Sequence, residues 1–108
     1  MTGEEFRTLA LGFAGTETVR HFERTGFKIA ARRMFATYLE LDNTANIFLT
    51  PEEQNTFCQI DSINIFPVPN KWGEKGATTF VLDRLDRSLV REALESAYSE
   101  TVKKPVRK

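Results

Sequence analysis

The chain's single histidine, His21, sits in "RHFER" between Arg20 and Phe22, with Arg24 close behind. An imidazole among cations can serve as a general base, but that work requires a nucleophile and an orienting partner in named geometry. No Ser or Cys nucleophile motif lies near it, and no second His or Cys pair supplies a set of metal ligands. A structural or turn-stabilising role is the ordinary reading of His21. A small-molecule pocket centred on it is the alternative. Glu4, Glu5, Glu52 and Glu53 stand at helix starts, where capping and the helix dipole account for them without acid or base chemistry. Cys58, between Phe57 and Ile60 on a helical pattern, reads as a small buried hydrophobe. Gly73 and Gly76 follow Trp72 without the Lys-Ser/Thr ending that grips a nucleotide. Neither a catalytic set, a metal site nor a cofactor is expected, and the chain reads as a non-enzymatic binding protein.

The basic residues offer more. Lys28 and Arg32 fall on the polar side of the second strand pattern, opposite Phe27, Ile29 and Ala31, with Arg20 joining from the first strand and Arg33 completing a pair. The turn "AARR" lacks the Gly or Asn of a tight hairpin, so it is either longer than two residues or conformationally costly. A projecting basic hairpin can touch phosphates and release counterions. The plainer alternative is a set of solvated arginines that keeps an exposed strand from aggregating. A second candidate surface is "FPVPNKWGEKGATT", Phe66 to Thr79, where Trp72 between Lys71 and Lys75 could stack on a base. Its other reading is a packed lid, with Phe66, Val68 and Trp72 sealing the core and Pro67 and Pro69 stiffening the connection.

Composition sets limits on these ideas. The 108 residues suit one domain, 1–108, with one core, and fifteen basic side chains balance fifteen acidic ones. Strong nonspecific attraction to polyanions is therefore not expected from net charge, and only local patches remain. A lone cysteine, no signal peptide pattern and no apolar run near the roughly 18 residues of a membrane span point to a soluble protein of the reducing cytoplasm. DNA and another protein chain are the candidate partners, and a membrane is not one.

The positioning elements follow from periodicity. Thr2 with Glu5 forms a capping box, and Phe6, Leu9, Ala10 and Phe13 recur at helical spacing, predicting a first helix that ends near Gly12 or Gly15. From Thr16 to Leu49 the period becomes two, giving four strands, with Asp42 and Asn43 as the turn between the third and fourth. "TPEE" from Thr50 opens a short helix, Thr78 to Leu82 suits a fifth strand, and Asp86 caps a last helix. That helix buries Leu89, Val90, Ala93, Leu94, Ala97, Tyr98 and Val102 along one stripe, and its basic tail from Lys103 to Lys108 should fray. The order predicts an α+β domain of two layers, an antiparallel sheet of about five strands with helices on one face and the other face open.

"RHFERTGFKI", "RRMFATY", "LTPEEQ", "FPVPNKWGEKGATTFVL" and "LVREALESAY", in this order, resemble the MmcQ/YjbR family of small bacterial proteins over nearly the whole chain. The resemblance implies a CyaY-like two-layer fold and a function commonly labelled DNA-binding, from a proposed double-wing arrangement. By position His21 and Phe22 match the family's His-Phe pair, Phe35 and Ala36 its Phe-Ala strand, and Pro67 to Gly76 its Pro-rich turn. Many relatives carry Trp after the glycine that ends this turn, where this chain has Ala77. A motif match of this kind transfers a fold better than an activity.

Overall fold

Both Thr-x-x-Glu starts close as capping boxes. The Glu5 N–H donates to the Thr2 hydroxyl at 3.1 Å and the Thr2 N–H to the Glu5 carboxylate at 2.8 Å, which opens α1 (Gly3–Leu11). Thr50 and Glu53 repeat the exchange at 3.2 and 2.9 Å to open α2 (Pro51–Ile60), with Pro51 in the first turn, where its missing N–H has no cost. The computed structural model describes residues 1–103, and of the tail expected to fray only Lys103 falls within them, as the last residue of α4 (Arg87–Lys103).

Six strands lie between and beside these helices: β1 (Thr16–His21), β2 (Arg24–Ile29), β3 (Met34–Leu39), β4 (Thr44–Phe48), β5 (Ile65–Pro67) and β6 (Ala77–Val81). They form one antiparallel sheet in the order β1-β2-β3-β4-β6-β5. One strand exceeds the sequence expectation. It arises at the start of the Pro-rich segment, where Ile65, Phe66 and Pro67 pair with Phe80, Thr79 and Thr78, and where a one-turn helix α3 (Lys71–Glu74) follows. Three residues ending in proline are too few to display a period, and proline is tolerated there because β5 is an edge.

The helices cover one face. Phe6 of α1 meets Phe27 edge-on at 5.7 Å and stacks on Tyr38 at 5.9 Å, Phe57 of α2 meets Phe80 at 6.1 Å, and Tyr98 of α4 meets Phe35 at 5.6 Å. Ala36, Ala45, Ile47, Ile65 and Leu82 complete this core with Val90, Ala93, Leu94 and Ala97 from the predicted stripe of α4. Val102 departs from the stripe: it is exposed, and Thr101 is buried in its place. Phe35 and Ala36 both face inward because the β2–β3 register slips between Phe27 and Lys28, so that two residues of β3 oppose one step of β2.

Turns explain the remaining phase. Asn43 takes φ 53 before β4, as its short amide side chain allows, and its amide group donates to the Met1 carbonyl and to Asp83 while accepting from the Tyr38 hydroxyl. Ala31 takes φ 63 in the four-residue turn between β2 and β3, so it leaves the buried strand face on which alternation had placed it. Arg32 likewise belongs to this turn and not to the strand's polar face.

Candidate functional site

The β1–β2 hairpin closes on two residues, Phe22 and Glu23, between the paired His21 and Arg24. Neither is a usual tight-turn residue. Phe22 nevertheless holds φ 58, a conformation that costs a bulky side chain roughly 1–2 kcal/mol. The residue is 80% exposed, its ring supported on one side by the His21 imidazole packed edge to face at 5.1 Å. A strained backbone presenting a large apolar ring to solvent is an arrangement associated with working sites.

Arginines surround this tip. A shallow concavity of about 340 Å³ under the hairpin is lined by Arg7 from α1 together with Arg20, Arg24 and Glu23. Thr18, Val19, Phe22 and Thr25 complete its wall. Strand alternation puts Arg20 on the helix side with its cross-strand neighbour Thr25, whereas Arg24 lies on the opposite face and donates to the Thr37 hydroxyl at 3.4 Å. Cations thus flank the exposed ring from both faces. Among the described residues the one carboxylate ion pair is Arg87 with Glu5 at 3.9 Å, so Arg7 and Arg20 hold no acidic partner. Three arginines against one glutamate give this concavity a local positive excess that a neutral chain does not advertise.

The residues proposed from sequence divide among several places. Arg20 belongs to the tip. Lys28, directly across from Glu17 on β1, lies on the other sheet face. Arg32 is taken up structurally, donating to the Thr101 carbonyl in the last turn of α4 at 3.3 Å, and Arg33 is exposed in the same turn. That turn is at the far end of β2 from Phe22, about 17 Å away by strand rise. The four cations therefore do not gather on one face. Lys71, Trp72 and Lys75 form a third group at the β5–β6 edge, with the Lys75 ammonium 5.5 Å from the Trp72 ring centre. Trp72 is 67% exposed and Phe66 38%, so neither seals the core as a lid would. What fixes this loop is polar side chains bonded to its backbone: the Gln54 side-chain amide donates to the Gly73 and Ala77 carbonyls, and the Asn70 side chain accepts from the Trp72 N–H to cap α3. His21 packs on Phe22 and is not among the residues that line the concavity.

Arg7 and Arg24 were not singled out by sequence. Arg7 lies on the wet face of α1, and the tip "FE" carries no turn signal that would have placed Arg24 beside Arg20 in space. Elsewhere, burial pushes the Cys58 thiol up from its usual range, which disfavours the reactive thiolate. Among the described residues no group of three or more His, Cys, Asp or Glu is placed to hold a metal ion, and no helix is long and apolar enough to cross a membrane.

The profile of the YjbR family matches residues 11–100. This chain belongs to the YjbR family. Among solved structures, a Deinococcus radiodurans protein with the domain DUF419 superposes with a TM-score of 0.81 at 23% identity, covering 95% of this chain and 80% of that one. A protein from Pseudomonas syringae superposes with a TM-score of 0.73 at 14% identity, covering 94% of this chain and 99% of that one. At such identities these likenesses concern the fold. Among curated proteins no match is found. The family match begins in the last residue of α1, so Arg7 lies outside it while Arg20, Phe22 and Arg24 lie within.

Proposed function

We propose that this YjbR-family chain is a non-enzymatic cytoplasmic binding protein for nucleic acid that uses the β1–β2 tip. Its contacts are backbone phosphates against Arg7, Arg20 and Arg24 and an unstacked base against the Phe22 ring. The observation that carries this reading is the exposed aromatic flanked by three arginines in one concavity. Cation and π-face together suit a flexible single strand, whose bases are free to stack. Neutral net charge makes the affinity weak, in the nonspecific range of about 10⁻⁴ to 10⁻⁶ M at physiological salt. Lys71, Trp72 and Lys75 would extend the contact only if the strand reached the opposite sheet edge. A second reading, a protein-interaction module, draws on a different feature, the unpaired outer edge of β1.

Fluorescence anisotropy with a labelled single-stranded oligonucleotide tests the proposal. Affinity should fall with salt, and the triple substitution of Arg7, Arg20 and Arg24 by Ala should flatten the log–log salt slope by about 2, given ~0.7 per lost phosphate contact. Changing Lys28 and Arg33 to Ala should leave the slope nearly unchanged. Binding that ignores salt, or a slope as steep in the triple variant as in the wild type, overturns it.

A further inference from the structure

β1 is an edge strand of six residues, exposed along nearly its whole length; it has neither proline nor bulge to blunt that edge, and its charges are one acidic and one basic residue, Glu17 and Arg20, on opposite faces. We propose that it is the pairing edge for a second copy of this chain, joined antiparallel through a two-fold axis at Val19. The inference is independent of nucleic-acid binding.

Hydrogen-bond geometry selects the register. A two-residue hairpin closes on a hydrogen-bonded pair, here His21 and Arg24, so backbone groups of His21, Val19 and Glu17 point toward β2 and those of Arg20, Thr18 and Thr16 point outward. A two-fold axis normal to the sheet keeps the helices of both copies on one side and brings each side chain opposite one on the same face. Three centred registers remain. Centring on Thr18 would need the Thr16 N–H, which already donates to the Phe13 carbonyl at 3.2 Å. Centring on Arg20 would set that cation against its own copy, a destabilising like-charge pair. Centring on Val19 uses only Thr18 and Arg20, whose outward N–H and C=O groups have no backbone partner among the described residues.

The side chains agree with that choice. Val19 meets the partner's Val19, removing two exposed apolar side chains from water, and Glu17 meets the partner's His21 on both sides of the axis. An imidazole N–H donates well to a carboxylate, and Glu17 would then lie between its own cross-strand neighbour Lys28 and the partner's His21. On the helix side Thr18 faces the partner's Arg20, so no like charges stand directly opposite. The contact is small, which makes the dimer concentration dependent. It would also bring the two arginine concavities side by side, since Thr18 and Arg20 line each.

Sedimentation velocity of the full chain, from micromolar to millimolar concentration, reads the association. The weight-average coefficient should rise toward that of a dimer. Thr18→Pro removes an N–H that the monomer does not use and, with it, two of the four bridging hydrogen bonds. It should weaken association about tenfold or more with little change in the thermal melt. Val19→Lys, at an exposed position, should abolish association and carries the test if the proline variant fails to fold. Glu17→Lys should also abolish it, and adding His21→Glu should restore it by reversing the pair. A wild type that sediments as a monomer throughout, or a folded Thr18→Pro or Val19→Lys variant that associates like wild type, overturns the inference.

Discussion

The two edges of the sheet are built in opposite ways. β5 is three residues long and ends in Pro67, which has no N–H; the outward N–H of Ile65 is taken by the Asp61 carbonyl at 2.9 Å, Asn70 caps α3 in the chain that follows, and Gly73 there admits a close backbone contact with Val68. β1 is twice as long, keeps outward hydrogen-bonding groups at Thr18 and Arg20, and ends in a projecting Phe22. One edge is closed by glycine, proline and a cap. The other stays open and is bordered by arginines. An antiparallel sheet with both edges open would invite uncontrolled pairing, and closing one edge leaves the other as the place where a further strand could add.

Substitution in the loop that joins β5 to β6 should have the largest effect on stability. Gly76 has φ +118, and a Cβ there would overlap the Leu49 carbonyl, while the Leu49 N–H donates to the Gly76 carbonyl at 3.2 Å. Gly76→Ala should lower unfolding stability by at least about 2–3 kcal/mol in denaturant titration, because backbone cannot move aside as a side chain can. Gly26→Ala, beside the open edge, presses instead on the flexible end of Met34 and on Val19 and should cost clearly less. Equal losses at the two glycines would erase the contrast.

Phe22→Gly separates stability from binding. Relief of the positive φ should leave stability unchanged or raise it by up to ~1 kcal/mol, while loss of the ring weakens single-strand binding by about 1–3 kcal/mol. A parallel fall in both would make Phe22 an ordinary packing residue. At the closed edge Asn70→Ala removes the α3 cap and should cost about 1 kcal/mol without altering oligonucleotide affinity.

The smallest effect is one of pH. Asp61, ahead of β5, accepts from the Asn64 side chain at 2.9 Å and from the Asn64 and Ile63 N–H groups, and these bonds, the Asn64 side chain first, hold its carboxyl below the usual carboxylate range. A depressed folded-state pKa contributes stability above the unfolded value and loses it as pH falls through the folded one, so the effect lies below about pH 4. Asp61→Asn should shallow this acid limb of thermal melts. An unchanged limb would detach Asp61 from the closure of β5.

These contrasts show which features were readable from sequence. Thr2 with Glu5 and Thr50 with Glu53 announced their helices because a capping box is local chemistry, and α4 showed itself because seventeen residues allow a 3.6 period to repeat. β5 escaped because it is held by pairing to β6 and not by its own pattern. The arginine grouping was only partly visible. Arg20 was marked, but joining it to Arg7 needs the contact between α1 and the hairpin, and excluding Arg32 needs its bond to the Thr101 carbonyl. Both are long-range facts that no window along the chain contains.

The extra residue at Phe35 also separates two rhythms in one sheet. Upstream of it the alternation of β1 and β2 is counted from the Phe22 tip, and downstream that of β3, β4 and β6 is counted from the Asn43 turn. The first hairpin therefore keeps its own alternation, offset from that of the other strands by the buried Phe35. Its outward residues can be retuned during evolution without shifting the register of the plate that carries the core.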